Sequence, residues 1–343
     1  MSCWISERQS LYDITGDGKT SNELINSLSI KMSLSVKNIK MLEVKNVKKD
    51  FSRRIKSGKW VKDLFAPKYE KFHALKWISF KIEQWEKVAF IWPNGAGKST
   101  TIKAILWILH YDGGTIKIFD KDPMSQREEI AKQTASVFGQ RSQLLYHLPL
   151  IDSFNFFRIM YDIPKNKFEE RLNHFSEKFG LKEFLDQPVR KLSLGQRMKW
   201  EIVASLLHEP KAIFLDEPTV WLDIIAKKVL YEILNDINKK ENVTIFLTSH
   251  DLNDIENLCD RAIIINRWDI LYDGQLDDLM ATHANKKFIR YKAKDTLQWE
   301  EIVIENDPKI VQKTLKYLFE NKDVEDVKVE NVPLEDVIEE FYK

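Results

Sequence analysis

One stretch constrains this chain more than any other: Val88-Ala89-Phe90-Ile91-Trp92-Pro93-Asn94-Gly95-Ala96-Gly97-Lys98-Ser99-Thr100-Thr101. A β-type apolar run feeds a glycine-rich loop, and an apolar-periodic segment, Ile102 to Leu109, follows. Strand, loop and helix in that order form the context a phosphate-binding loop requires. Gly95 and Gly97 let the backbone curl so that successive N–H groups point inward at phosphate oxygens. Lys98 then places a cation on the β- and γ-phosphates, Ser99 offers a hydroxyl to Mg²⁺, and the helix start faces the same anion. The remaining loop residues, Trp92, Pro93, Asn94, Ala96 and Thr100, complete the candidate nucleotide contact. One residue departs from the pattern. Trp92 stands where a glycine opens the turn, a position at which freedom at φ > 0 and a missing side chain are useful.

Composition narrows the setting. The 343 residues allow about two domains. A hydrophobic content of 43% supports a substantial core, and a net charge of +1 gives no bulk pull toward nucleic acid or anionic lipid. Cys3 and Cys259 are the only cysteines, which excludes a disulfide framework or a Cys-rich zinc site and fits a reducing compartment. No apolar run reaches the roughly 18 residues of a membrane span, and the N-terminus lacks the order of a secretion signal. A membrane role would therefore come through a partner.

Residues 1–40 are polar and weakly patterned. Their Gly16-Asp17-Gly18-Lys19-Thr20 imitates the end of a phosphate loop, but Asp13 and the absence of a preceding strand mark it as a turn. The segment reads as a flexible or artefactual extension, with Met41 or Met32 as the true initiator. Leu42 to Phe51 alternates like a half-exposed strand, and Phe51 is a candidate platform for an adenine ring. Residues 52–72 read as a basic loop. Ala74–Ile82 and Lys87–Ile91 follow as strands joined at Glu83-Gln84-Trp85-Glu86, then Thr115–Phe119 and Ala135–Phe138, with Gln140 directly after. From Arg141 to Arg190 the pattern turns helical. Leu192-Ser193-Leu194-Gly195-Gln196 opens a helix with Ser193 placed as its N-cap. Two further apolar strands end in Asp216-Glu217 and in Thr248-Ser249-His250, and a hairpin turns at Asn266-Arg267-Trp268-Asp269. Beyond about residue 280, Lys309–Phe319, Val324–Val329 and Leu334–Phe341 read helix, strand, helix.

With Lys98, Gln140, Leu192 to Gln196, Asp216-Glu217 and His250 in that order, the sequence resembles the ATP-binding subunit of ABC transporters over residues 41–275. The Leu192–Arg197 signature and the Phe138–Leu144 stretch look most like the ATPases of ABC-2-type exporters. The resemblance implies an α/β P-loop NTPase core, an antiparallel β subdomain, a helical subdomain at about 141–195, and a small C-terminal α+β appendage at 276–343. It also implies roles. Asp216, Ser99 and Gln140 hold Mg²⁺; Glu217 orients or deprotonates the attacking water; His250 and Lys98 contact the γ-phosphate. Leu192, Ser193, Leu194, Gly195 and Gln196 act in trans on the ATP of a second subunit, and Asp223 sits at that seam. The implied partners are a second ATPase subunit and a separate membrane permease, docked at the aromatic surface of Leu148–Tyr161. The implied location is the inner face of the cell membrane, with export as the direction and no nucleic acid expected.

Tryptophan and glycine are nearly equal in number, 10 against 11, although glycine is normally about 7% of a protein. Relative to the family pattern, Trp92, Trp85, Trp268, Trp221, Trp77 and Trp107 replace glycines. Installing the bulkiest side chain at sites that need the smallest costs ~1–3 kcal/mol at each. These residues are expected to be glycines in the natural protein, through a UGA codon read as Gly by the host and as Trp in translation of the gene. Two alternatives stand beside the transporter reading: a non-transport ABC ATPase, and a nucleotide-binding regulator of impaired turnover should Trp92 be genuine.

Overall fold

The computed structural model describes residues 40–55, 68–93, 97–139, 142–282, 286–294 and 299–342. Asn94, Gly95, Ala96 and Gln140, together with the extension before Lys40, lie outside them. In chain order the elements are β1 (Lys40–Ile55), β2 (Lys68–Glu83), β3 (Lys87–Ile91), α1 (Lys98–Ile105), β4 (Gly113–Ile118), α2 (Arg127–Ala131), β5 (Thr134–Phe138), α3 (Leu150–Met160) and α4 (Lys165–Lys178). They continue with α5 (Leu194–Leu206), β6 (Ala212–Asp216), α6 (Ile224–Glu241), β7 (Thr244–Thr248), α7 (Leu252–Leu258), β8 (Arg261–Asn266), β9 (Asp269–Gln275) and α8 (Leu276–Thr282). The last are β10 (Lys286–Ala293), β11 (Trp299–Glu305), α9 (Pro308–Asn321), β12 (Val324–Asn331) and α10 (Leu334–Glu340).

The centre is a sheet in the order β5-β6-β7-β3-β8-β9, parallel except for the β8–β9 hairpin. Its inner strands are apolar on both faces because both are covered. Val88, Phe90, Phe214, Phe246 and Ile263 point into one core shared with the antiparallel sheet β2-β1-β4. Ala89, Ile91, Ile213, Leu215 and Leu247 point into the other, against α5, α6 and the helical segment. Phe90 and Phe246 lie 5.2 Å apart and are fully buried, so truncating either to Ala should cost ~3–5 kcal/mol. The parallel register aligns the C-terminal ends of β3, β5, β6 and β7, where open α/β sheets bind their ligands.

Two expectations are corrected. The segment 52–72 is not all loop: β1 runs on to Ile55 and β2 begins at Lys68, with Phe51 opposite Phe72 and Ser52 opposite Lys71. Antiparallel pairing satisfies the backbone without apolar alternation, which is why the pattern missed it. Phe51 therefore lies within a strand. The C-terminal region carries more than helix, strand, helix: β10 and β11 precede α9 and pair with β12 in the order β11-β10-β12. The face of β10 away from α9 mixes buried Phe288 with Lys286, Arg290 and Lys292, Arg290 bonding Glu301 and Glu330, and these charges hid the strand pattern.

The tryptophans divide into two groups. Trp77, Trp85, Trp107 and Trp268 all sit in the left-handed region, at φ 60, 69, 53 and 75. Trp85 follows Gln84 in the β2–β3 turn, and Trp268 follows Arg267, itself at φ 48, in a two-residue hairpin loop. Glycine is the residue such turns select. Trp107 follows the C-cap of α1, the commonest glycine position of a helix. Trp77 occupies an irregularity between the Val47–Ile78 and Lys49–Leu75 pairs, where a bulge favours glycine. Trp92 and Trp221 are not among the left-handed residues, which corrects the expectation of positive φ at 92. Trp92 is instead buried, its ring edge-on to Phe90.

Candidate functional site

The phosphate-loop end of the site is set by backbone. Gly97 adopts φ 121, and a Cβ there would come within 2.8 Å of the Ala74 carbonyl oxygen. No L side chain fits. The Gly97 carbonyl accepts from the Thr101 N–H at 2.8 Å and the Thr101 hydroxyl at 3.0 Å, starting α1. Lys98 is the first residue of that helix, followed by the half-exposed Ser99 and Thr100. Pro93 lies between Trp92 and the loop residues outside the described set. The Trp92 ring approaches the Gly97 Cβ position to 3.6 Å, and its indole N–H has no partner among the described residues.

Lys98, Glu217 and His250 are brought together at the neighbouring strand ends. Lys98 Nζ lies 3.3 Å from Glu217 Oε1, and His250 Nδ1 lies 2.5 Å from Glu217 Oε2. The His250 backbone N–H also faces that oxygen, at 3.3 Å. Glu217 reaches this position in the left-handed region, φ 54, a strain of order 1–3 kcal/mol of the kind that functional sites store. Its own N–H is tied to the Thr248 carbonyl at 2.9 Å. Beside it, Asp216 is buried and its Oδ1 accepts from the Thr248 hydroxyl at 2.7 Å. Gly139 packs on the Glu217 carbonyl so closely that a Cβ would sit 2.4 Å away, which keeps the end of β5 beside these carboxylates.

An oxygen-only set of one carboxylate, Asp216, one hydroxyl, Ser99, and the amide of Gln140 suits Mg²⁺ with substrate phosphates and retained water. Asp216 makes no salt bridge among the described residues, so its charge is not already matched by a lysine or arginine. The donor chemistry fits the metal.

The signature residues stand at the head of α5. Ser193 Oγ accepts from the Gln196 N–H at 3.1 Å, while Gln196 Oε1 accepts from the Ser193 N–H at 2.9 Å, a complete capping box. Leu192 is buried, Leu194 exposed, and Gly195 lies against the Trp221 carbonyl at a separation a Cβ would reduce to 2.8 Å. The bonds described for Ser193 and Gln196 stay within their own turn. Asp223 caps α6, accepting from the Ala226 N–H at 2.8 Å. Phe51, 40% exposed, pairs with exposed Phe72 on the strands whose Ala74 carbonyl abuts Gly97.

The sequence reading missed several residues that organise this end. Thr248, read from sequence only as a strand end, holds Asp216, and Trp221, read as a replaced glycine, donates its indole N–H to the Gly139 carbonyl at 2.9 Å. Glu201, buried on α5, accepts from Ser142 Oγ, from the Gln143 N–H at 2.9 Å and from the Leu144 N–H at 3.4 Å. Burial pushes its carboxyl above the ordinary range despite these donors. It clips the segment after β5 to the signature helix. A lone acid on the apolar face of a helix was the available signal.

Comparison with known proteins agrees with this geometry. The ABC transporter family profile matches residues 75–220. The ABC transporter ATP-binding protein NatA of Bacillus subtilis (strain 168) is 29% identical over 222 residues, 65% of this chain and 90% of that protein. The bacitracin transport ATP-binding protein BcrA of Bacillus licheniformis is 30% identical over 227 residues, 64% of this chain and 69% of that protein. A solved ATP-binding subunit of an ABC transporter superposes with a TM-score of 0.61 at 28% identity, covering 71% of this chain and 92% of the other. A dimeric ATP-binding cassette bound to ADP and Pi shares the fold, with a TM-score of 0.58 at 22% identity over 69% of this chain. The chain belongs to the ATP-binding subunits of ABC transporters and is an ATPase.

Proposed function

We propose that this ATPase binds Mg·ATP at the strand ends of the central sheet and spends its hydrolysis on driving a separate membrane permease, as an exporter of the ABC-2 type. The observation that carries the reading is the Glu217 carboxylate held between Lys98 Nζ and His250 Nδ1, at 3.3 and 2.5 Å. A carboxylate so placed can orient water and take its proton, while Lys98 and His250 stabilise charge on the transferring phosphoryl group. Mg²⁺, when bound by Asp216, Ser99 and Gln140, supplies neutralisation of the phosphate charge. Phe51 offers the adenine a stacking face. Trp92, Pro93, Asn94, Gly95, Ala96, Gly97 and Thr100 line the phosphates.

Two subunits pack head to tail in this reading, so that Leu192, Ser193, Leu194, Gly195 and Gln196 of one meet the ATP of the other, with Asp223 at the seam. The chain divides into an extension at 1–40, the ATPase domain at 41–275 and an accessory domain at 276–343. Among the described residues no helix is long and apolar enough to cross a membrane. Exposed Tyr146, Leu148, Phe156, Ile159 and Met160 on and before α3 offer an apolar face to the permease, and in this reading the protein works at the inner surface of the cell membrane.

Substituting E217Q tests the reading. The variant should keep ATP binding, lose hydrolysis by about 100-fold or more, and accumulate as an ATP-bound dimer in size-exclusion chromatography. Wild-type turnover in E217Q would overturn it. A second reading, a nucleotide-binding regulator of impaired turnover, is favoured by the Trp92 ring against Gly97. The mass of the Val88–Lys98 peptide from the native host decides between them. A mass fitting glycine at 92 supports turnover; one fitting tryptophan supports the regulator.

A further inference from the structure

Behind the Glu217–His250 pair lies a carboxylate the hydrolytic reading does not use. Asp254, on α7, is fully buried. A buried charge of this kind is costly unless each of its lone pairs is matched. Oδ2 accepts from the Thr219 hydroxyl and from the Ser249 hydroxyl, the latter at 2.6 Å. Oδ1 accepts from the Tyr231 hydroxyl at 2.5 Å and faces Lys227 Nζ at 3.5 Å.

The division between the two oxygens is informative. Thr219 follows Glu217 by two residues on the loop after β6, and Ser249 immediately precedes His250 on the loop after β7. Both hydroxyls are buried with it. One oxygen thus joins the two loops that carry the opposed side chains. Among the described residues the other oxygen meets only α6, to which Tyr231 and Lys227 both belong. An anchor for α7 alone has no need of both catalytic loops on one atom.

We propose that Asp254 is a positioning residue for hydrolysis, fixing the separation of Glu217 and His250 through Thr219 and Ser249. The proposal rests on the reading of that pair as the hydrolytic groups. Glu217 is strained and His250 is exposed, so neither holds its place by packing alone. A bond from a residue two positions after Glu217 and from the residue just before His250 to a common oxygen adds a further constraint, and charge-assisted bonds of this type are the stronger ones.

The test removes the donors one at a time in the full chain. T219V and S249A each delete a bond to Oδ2, T219S and S249T restore the hydroxyl, and Y231F deletes a bond to Oδ1. T219V and S249A should lower kcat by about 10-fold with ATP affinity changed less than about 3-fold, and T219S and S249T should recover most of the rate. Y231F should leave kcat within about 2-fold even where Tm falls. The ring ¹⁵N shifts of His250 at fixed pH, assigned with H250Q, should move in T219V and S249A and stay in Y231F. Y231F matching the other two in rate or shift would reduce Asp254 to a structural anchor, as would wild-type kcat and shifts in T219V and S249A. If the wild-type chain hydrolyses no ATP, the hydrolytic reading fails, and the His250 shifts still decide whether Asp254 positions the pair.

Discussion

Two helices of this molecule begin at motif residues, and they satisfy their first N–H groups in opposite ways. At α1 the N-cap is Gly97, no side chain caps the helix, and the first turn carries no acid. At α5 the N-cap is Ser193, and Ser193 and Gln196 close a reciprocal box on the same turn. The first has no side-chain cap and, in the proposed function, leaves its donors to a ligand; the second completes itself from its own residues. A helix start that must bind an anion within the chain cannot also be capped from within it. In the proposed head-to-tail packing the second helix would meet its ligand on another subunit and has to hold its shape without one, and a capping box does that at little cost. The hydroxyl proton of Ser193 is still free to donate outward while the oxygen accepts from Gln196.

The largest break in this comparison should come at α1. G97A places a methyl group 2.8 Å from the Ala74 carbonyl at φ 121, so ATP binding by fluorescence titration should weaken by about 100-fold or more. At α5 the expected loss is smaller and of a different kind. S193A removes a cap worth ~1 kcal/mol, visible as a few degrees in Tm, and should lower kcat by about 10-fold if the hydroxyl also reaches the partner's phosphate. A change in Tm without a change in kcat would confine Ser193 to capping.

The ends of the same two helices sharpen the contrast. His208 follows α5, and burial holds its imidazole down to about 4, with Arg171 nearby acting in the same sense. The unfolded chain, with an ordinary histidine, binds its proton first as pH falls. Stability contributed by the neutral ring is therefore whole above about pH 6.5 and is lost down to about pH 4, roughly 3 kcal/mol in all. H208Q should flatten urea-melt stability across that window. At the end of α1, Trp107 occupies a left-handed position at φ 53, its ring against His110 and Tyr111. W107G should raise stability by about 1 kcal/mol, relief of strain exceeding the lost ring contacts; a loss instead would make the tryptophan native to that turn.

Much of the central sheet was legible because parallel strands buried on both faces must be apolar runs, and β3, β6 and β7 are. Ser193 was legible as a cap for the same local reason. The edges were not. The extension of β1 and β2 through Ile55 and Lys68 rests on cross-strand backbone pairing, and β10 and β11 present charged residues that bond across the sheet. Neither leaves a period in one strand taken alone. Of the candidate site, the residue types were visible in the order Lys98, Asp216, Glu217, His250, but Thr248, Glu201 and Asp254 were not, since a buried polar residue shows its purpose only when its donors arrive from distant segments.

By itself the sequence determined the local chemistry: a glycine-rich loop between a strand and a helix, a capped helix at Ser193, carboxylates at one strand end and a histidine at another. Those follow from backbone geometry and capping, which act over a few residues. The tertiary structure alone decided that Glu217 stands between Lys98 and His250, and that one oxygen of Asp254 serves both loops. Parallel strands separated by whole helices have no local code for which ends align, so that pairing waits on the folded sheet. The same holds for the tryptophans, whose excess the composition showed but whose left-handed turns at 77, 85, 107 and 268 only the folded backbone revealed.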